Sequence, residues 1–187
     1  MFRIRRIFDD VSRVNRELIK KVGGLLQFHF PDIPLQEVNS LGERLTNPFL
    51  KRFDTILYVA EKGRHQLAGF AILMIEPEIG FAFLDFISTG RALKNRGIGG
   101  ALYEAIRQET IKRKLTGIFY ECLPDDPAMC PSPEECATNA RRLRFYEKYG
   151  ARPVINTLYE LPLTPDDPYV PYLVFDNTLE KPLTAKK

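Results

Sequence analysis

"LKNRGIGGAL", residues 93–102, holds three glycines, two cations and a switch to helix-forming residues within ten positions. Glycine loses more conformational freedom on folding than any other residue, so a cluster needs a purpose. Between a strand and a helix, such a turn offers exposed amides and the positive end of a helix dipole to an anion. Its glycines let the backbone come close to phosphate oxygens. Two familiar phosphate loops do not match. A Walker A loop ends in G-K-[ST], whereas here the chain reads Gly99-Gly100-Ala101. A dinucleotide fingerprint needs glycine at its sixth position, which is Leu102 here. The residues of this stretch leave two readings, an anion cradle or a strand-to-helix turn that merely tolerates glycine.

Upstream, "DTILYVAEKGRHQLAGFAILMIEPEIGFAFLDFIST" (54–89) reads as three strands joined by the turns EKGRHQ and EPEIG. Turns this short imply antiparallel neighbours. A strand is expected at 2–8, then a helix capped by Asp10 with Val11, Val14, Leu18, Val22 and Leu25 at helical spacing. A second helix begins near Pro34 and turns Leu35, Val38, Leu41 and Leu45 to one side. Beyond the glycines, a helix runs from about Gly97 to Lys114 and buries Ile98, Leu102, Ala105 and Ile106. Then come a strand at 117–122, a proline-rich acidic loop at 123–138, and a helix "NARRLRFYEKYG" stopped by Gly150. Two strands follow, "VINTLYELP" (154–162) and "YLVFDN" (172–177). This order predicts an α+β fold on a mixed sheet rather than repeated βαβ units. The length suits one domain over 1–187 with a loose tail at about 180–187.

The net charge of +3 is too mild, and the basic residues too scattered, to suggest nucleic acid. Cys122, Cys130 and Cys136 have the spacing C-x7-C-x5-C, with neither His29 nor His65 close in sequence. That pattern predicts no metal site and reduced, packed thiols. MFRIRRIFDD lacks the apolar core of a secretory signal, and no apolar run approaches membrane-spanning length. The expectation is a soluble cytoplasmic protein with no membrane partner.

"KNRGIGGAL" resembles the pyrophosphate loop of the GCN5-related N-acetyltransferases (GNAT), whose pattern is Q/R-x-x-G-x-G/A. Lys94 stands at the Gln/Arg position, Asn95 and Arg96 are the variable pair, and Gly97, Ile98 and Gly99 follow. "NARRLRFYEKYGA" resembles the family's second motif, N-x-x-A-x-x-L-Y-x-K-x-G-F. Asn139, Phe145, Tyr146, Lys148 and Gly150 fall in register, while Arg142 and Ala151 depart from it. The resemblance extends over about residues 2–176. It implies a three-layer α+β fold with helices on both faces. Its mixed, mostly antiparallel sheet splays between strands four and five to admit acetyl-CoA. It further implies that the amides of residues 95–100, Gly100 included, hold the pyrophosphate. Ile87, Ser88 and Thr89 pair with the pantetheine, and Asn139 and Tyr146 complete the acetyl-CoA site. The resemblance also implies an acceptor that is a primary amine of a small molecule, polyamine or peptide, attacking the thioester directly, in a monomer or homodimer.

Such a transfer needs a neutral amine, a donor for the carbonyl oxygen and a proton for the departing thiolate. Tyr146 occupies the family's acid position, seven residues after Asn139; the alternative is a core tyrosine. Two carboxylates compete as base. Glu121, in "YEC", resembles the glutamate of "LEV" in some protein N-terminal acetyltransferases. Asp85, in "FAFLDFI", is expected on one strand face with Phe83 and Ile87, where a carboxylate needs a partner and its pKa tends upward. For both the alternative is a structural ion pair or hydrogen bond. Asp125, Asp126, Glu134 and Glu135 make the 123–138 loop either an attractor of cationic acceptors or a plain solvated connection. A non-catalytic acyl-CoA-binding regulatory domain is the rival function, and the presence of Tyr146 speaks against it.

Overall fold

The computed structural model describes residues 1–47, 49, 53–63, 65–90, 97–155, 159 and 170–180. The chain forms two compact units, Met1–Leu115 and Thr116–Lys187. The first contains β1 (Phe2–Ile7), α1 (Arg13–His29), α2 (Leu35–Asn39), α3 (Leu41–Thr46), β2 (Asp54–Lys62), β3 (Gln66–Glu76), β4 (Phe81–Thr89) and α4 (Ile98–Lys112). Its strands pair in chain order, every neighbour antiparallel.

The two-residue period of these strands builds three layers. Leu57 and Val59 of β2 and Phe70 and Ile72 of β3 join Leu18, Val22 and Leu26 of α1 and Leu41 of α3 in one buried cluster. The intervening residues face α4. Tyr58 donates to Glu109 of α4 at 3.1 Å, and a side chain at Gly69 would meet Ile98 and Leu102. Helices therefore cover both faces of this sheet. On α4 the buried stripe is Ile98, Leu102, Tyr103 and Ile106. Tyr103 takes the place expected for Ala105, which is only half-buried.

One step of β4 breaks the alternation. Leu73 of β3 pairs with Leu84, but Ile72 pairs with Phe86, leaving Asp85 as the extra residue of a bulge. Phe83 opposes Met74, on the α1 side, whereas Ile87 opposes Ala71, on the α4 side. Asp85 meets Arg44 of α3 and so lies on the α1 side. It shares a face with Phe83, as expected, but not with Ile87, because the bulge resets the period.

The second unit contains β5 (Ile118–Cys122), a 3₁₀ turn (Pro127–Met129), α5 (Pro133–Glu147), β6 (Arg152–Pro153) and β7 (Tyr172–Asp176). β7 pairs antiparallel with both β5 and β6. The strand expected at 154–162 is represented by this short β6, extended by Val154 donating to the Leu173 carbonyl at 2.8 Å. Residues 156–158 and 160–162 of that expectation, and 181–187 of the tail, lie outside the described residues. α5 starts six residues earlier than expected, at Pro133 with Ser132 as cap, so much of the supposed loop is helix. α1 is capped by Ser12 rather than Asp10, its hydroxyl accepting from Asn15 N–H. The helix predicted from Pro34 is interrupted at Ser40 into α2 and α3. Cys130 and Cys136 form a disulfide, which overturns the expectation of three reduced thiols, and Cys122 is free and buried.

Two buried carboxylates tie the first unit together. The Glu61 side chain is fully shielded and accepts from Arg3 and Arg5 of β1, with His65 Nδ1 at 3.2 Å. Glu109 receives Arg6, Arg113 and Tyr58. Burial pushes the Glu61 carboxyl upward, but the hydrogen bonds from Arg5, His65 and Arg3 outweigh it and hold the group below 4.5. Burial likewise opposes, and Arg113 and Arg6 overcome, the shift at Glu109, which is also lowered. A depressed carboxylate pKa gives stability that is present above the unfolded value and is lost as pH falls through the folded one. Thermal melts from neutral pH to about pH 3 should therefore show a steep acid loss in the wild type. Glu61→Gln should lower Tm at pH 7 and flatten that loss; an unchanged acid slope would mean that Glu61 titrates alike in both states.

Candidate active site

The glycine turn begins where β4 ends. Lys94, Asn95 and Arg96 lie outside the described residues. Gly97 is the N-cap of α4 with φ +74°, a left-handed conformation that glycine adopts without strain. Gly99 has a different reason. Glycine in a helix costs about 1 kcal/mol relative to alanine, yet among the described residues a side chain there would meet only Thr89 Cγ2, at an ordinary 3.9 Å. Packing among the described residues does not require a glycine at Gly99. Among the described residues no side chain caps α4, and its first turn carries no acid, so the amides near Ile98, Gly99 and Gly100 are not claimed by a carboxylate of the helix. Thr89 and Ile87 pair with Gly69 and Ala71, on the face that α4 covers, while Ser88 pairs with Phe70 on the opposite face. The structure thus brings Thr89 to the glycine turn and turns Ser88 away from it.

Asp85 lies in the same unit. Its Oδ2 accepts from Arg44 Nη2 at 3.3 Å, and Glu37 accepts from Nη1 at 3.4 Å. Arg44 is 6 % exposed. Nothing in the sequence reading singled out Arg44. The available signal was its position three residues after Leu41, a cation on the apolar side of its helix.

In the second unit, Tyr146 is 4 % exposed, with its ring 4.5 Å from that of Tyr120 on β5 and 4.9 Å from Phe145. Burial pushes its phenol well above 10; Cys122 adds to the rise and Arg142 opposes it. The group is a protonated donor throughout the physiological range. Burial raises the Cys122 thiol to about 12, with Arg142 opposing and Glu121 adding, so this cysteine is not a thiolate nucleophile. Asn139 is buried and donates through Nδ2 to the Pro124 carbonyl at 2.8 Å, clasping the exit of β5 to α5. Glu121 accepts a hydrogen bond from the Tyr159 hydroxyl, whose pKa is raised by burial and by that carboxylate. Tyr159 carries no sequence motif; only folding reveals its partner.

The acidic loop has structural employment. Asp126 caps the 3₁₀ turn by accepting from Ala128 N–H at 2.9 Å. Ser132 and Glu135 form a reciprocal cap on α5, and Glu134 and Glu135 sit in its first turn, where negative charge suits the dipole. Among the described residues, no three His, Cys, Asp or Glu side chains gather to hold a metal ion. No described helix is long and apolar enough to cross a membrane.

The sequence model of the acetyltransferase (GNAT) family matches residues 25–151, more than half the chain and across the boundary between its units. The chain belongs to this family, and it is an acyltransferase. No curated protein matches its sequence. Solved structures share its fold at low identity. The ribosomal-protein-S18-alanine N-acetyltransferase from Escherichia coli is 19 % identical, with a TM-score of 0.63 over 94 % of this chain and 92 % of that one. An aminoglycoside 6'-N-acetyltransferase complexed with coenzyme A is 16 % identical, with a TM-score of 0.68 over 96 % and 99 %. The catalytic domain of Tetrahymena GCN5 histone acetyltransferase, also in complex with coenzyme A, is 13 % identical, with a TM-score of 0.60 over 95 % and 93 %. The α+β fold expected from the sequence is the fold of these proteins.

Because Ser132 supports the helix that carries Asn139 and Tyr146, Ser132→Ala should cost about 1 kcal/mol, the usual worth of an N-cap. Urea unfolding checks this. An unchanged midpoint would mean that α5 does not depend on its cap.

Proposed function

We propose that residues 1–187 are a single N-acetyltransferase domain, moving an acetyl group from acetyl-CoA directly to a primary amine. The observation that carries this reading is the acid-free start of α4, where, among the described residues, no side chain caps the helix and no packing contact requires Gly99 to be glycine. A pyrophosphate gives those amides an acceptor, and Gly99 leaves it room. Membership of the acetyltransferase family supports the same donor. Lys94, Asn95 and Arg96 complete the loop, and the backbone of Ile87 to Thr89 takes the pantetheine amides.

The chemistry follows from charge. The neutral amine attacks the thioester carbonyl; the N–C bond forms, the C–S bond breaks, and the amine surrenders a proton. Tyr146 is the acid that protonates the leaving thiolate, and its buried phenol keeps that proton available. We assign the base to Glu121, whose hydroxyl partner Tyr159 orients it. Asp85 is the weaker candidate because its carboxylate is ion-paired with Arg44. Asn139, engaged with Pro124, acts by fixing the loop that precedes Tyr146. The acceptor is a small-molecule or peptide amine.

Acetyl-CoA should raise Tm, since a ligand bound only by the folded state stabilises it by mass action. Gly99→Val should abolish that shift while the melt of the free protein changes little; equal shifts from ATP and NAD would sink the cradle assignment.

Tyr146→Phe keeps the ring and removes the proton. It should lower kcat by roughly 10²–10⁴-fold, the size of a lost general acid, with the acetyl-CoA Tm shift intact. Since the phenol lies above 10, wild-type kcat should hold on the alkaline side up to about pH 10 rather than falling near pH 8. A wild-type rate for Tyr146→Phe would make the tyrosine a packing residue. Glu121→Gln should remove the rise of rate with pH, and Asp85→Asn should retain it; the reverse pattern would move the base to Asp85.

A further inference from the structure

Beneath α1 to α3, wholly within the first unit, lies a cavity of about 290 Å³. Its wall is mainly apolar, with Leu26, Ile33, Phe53, Met74 and Phe86 around it, and Arg44 is its cation. The bulge explains how adjacent residues Asp85 and Phe86 both reach it, since in a regular strand they would face opposite sides. The Arg44 guanidinium is buried but loosely held. Its bonds to Glu37 and Asp85 are 3.4 and 3.3 Å, against about 2.7–2.9 Å for well-formed charge-assisted pairs. A third contact, to Met74 sulfur, is 3.6 Å, and Nε meets no acceptor among the described residues. A buried donor without an acceptor needs an explanation, and a ligand oxygen supplies one.

We infer that this cavity selects the acceptor: an α-amine next to a large apolar side chain and a neutral carbonyl, as in an amino-acid amide or a peptide's first residue. The assignment rests on the acetyl-transfer reading. The apolar side chain fills the wall, and the carbonyl oxygen accepts from Arg44, whose loose bonds let it turn its unused edge toward the ligand. A free carboxylate is disfavoured because Glu37 and Asp85 already share this cation, and a third negative group meets both. Polyamines and aminoglycosides are disfavoured because their several ammonium and hydroxyl groups outnumber the polar side chains lining this mainly apolar cavity, Glu37, Arg44 and Asp85. The volume lies at the lower edge of small-molecule sites, roughly 300–1,000 Å³, which admits one side chain and its carbonyl.

The test uses the full chain with L-phenylalaninamide, L-phenylalanine and spermidine. Melting with coenzyme A present reads binding without turnover, and thiol release from acetyl-CoA reads transfer. L-phenylalaninamide should give the largest Tm shift and a kcat/KM at least about 10-fold above either rival. Arg44→Lys keeps the charge but loses the planar fork; it should raise KM for L-phenylalaninamide roughly 10–100-fold and leave KM for acetyl-CoA unchanged. Should that variant fail to fold, Ile33→Trp, at a half-buried wall position, fills the cavity and should abolish the L-phenylalaninamide Tm shift. Absence of a wild-type shift, equal or better use of spermidine or L-phenylalanine, or an unaltered shift in Ile33→Trp overturns the assignment. An L-phenylalaninamide shift lost in Ile33→Trp, with no thiol released from any amine, keeps the cavity assignment and overturns acetyl transfer.

Discussion

Strand β3 is closed on both sides, and the layout of the first unit depends on that constraint. Phe70 and Ile72 point into the α1 cluster, while Gly69 and Ala71 point toward α4. An apolar strand covered on both faces demands a helical layer on each, and the sequence offers amphipathic helices before and after the three-strand run. The difference in size between the faces sets the distances. Phe70 fills space on the α1 side, whereas Gly69 lets the start of α4 approach closely. The glycine turn is thereby held against the end of β4, with Gly99 beside Thr89.

Antiparallel pairing would have given β4 two faces of strictly alternating residues. The bulge at Asp85 interrupts them at the point where strand geometry must serve two purposes. Beyond it, Ile87 and Thr89 turn to the α4 side, toward the glycine turn; at it, Asp85 and Phe86 open together onto the cavity beneath the helices. One inserted residue thus separates the part of the strand assigned to the acetyl donor from the part assigned to the acceptor. Bulges commonly re-aim side chains in this way beside active sites.

The strands at 54–89 were legible almost to the residue, because three apolar runs joined by short polar turns leave little choice of pairing. The glycine that opens α4 and the helix that carries Asn139 and Tyr146 were legible because backbone conformation and helical spacing are local properties. What sequence did not reveal is non-local. The face reversal of Ile87 depends on a register shift against β3. Arg44 reads as an ordinary helix cation until β4 brings Asp85 to it, and Tyr159 is unremarkable until it meets Glu121. The acidic loop was misread in part for a simpler reason. Proline at the first helical position begins a helix instead of preventing one, and Ser132-Pro133-Glu134-Glu135 is a capping sequence.

The two candidate bases illustrate why a carboxylate's neighbours matter more than its apolar surroundings. Asp85 invites a catalytic reading in the sequence because regular alternation sets it beside Phe83 and Ile87 on one strand face, where a carboxylate needs a partner. Its actual neighbour is the buried guanidinium of Arg44, shared with Glu37, so the carboxylate is engaged in a structural ion pair. Glu121 meets a tyrosine hydroxyl instead. A neutral hydroxyl donor orients a carboxylate without tying it into an ion pair. The same difference separates the roles proposed for them: the carboxylate paired with arginine is assigned to the wall of the acceptor cavity, and the one paired with a phenol is assigned the proton transfer.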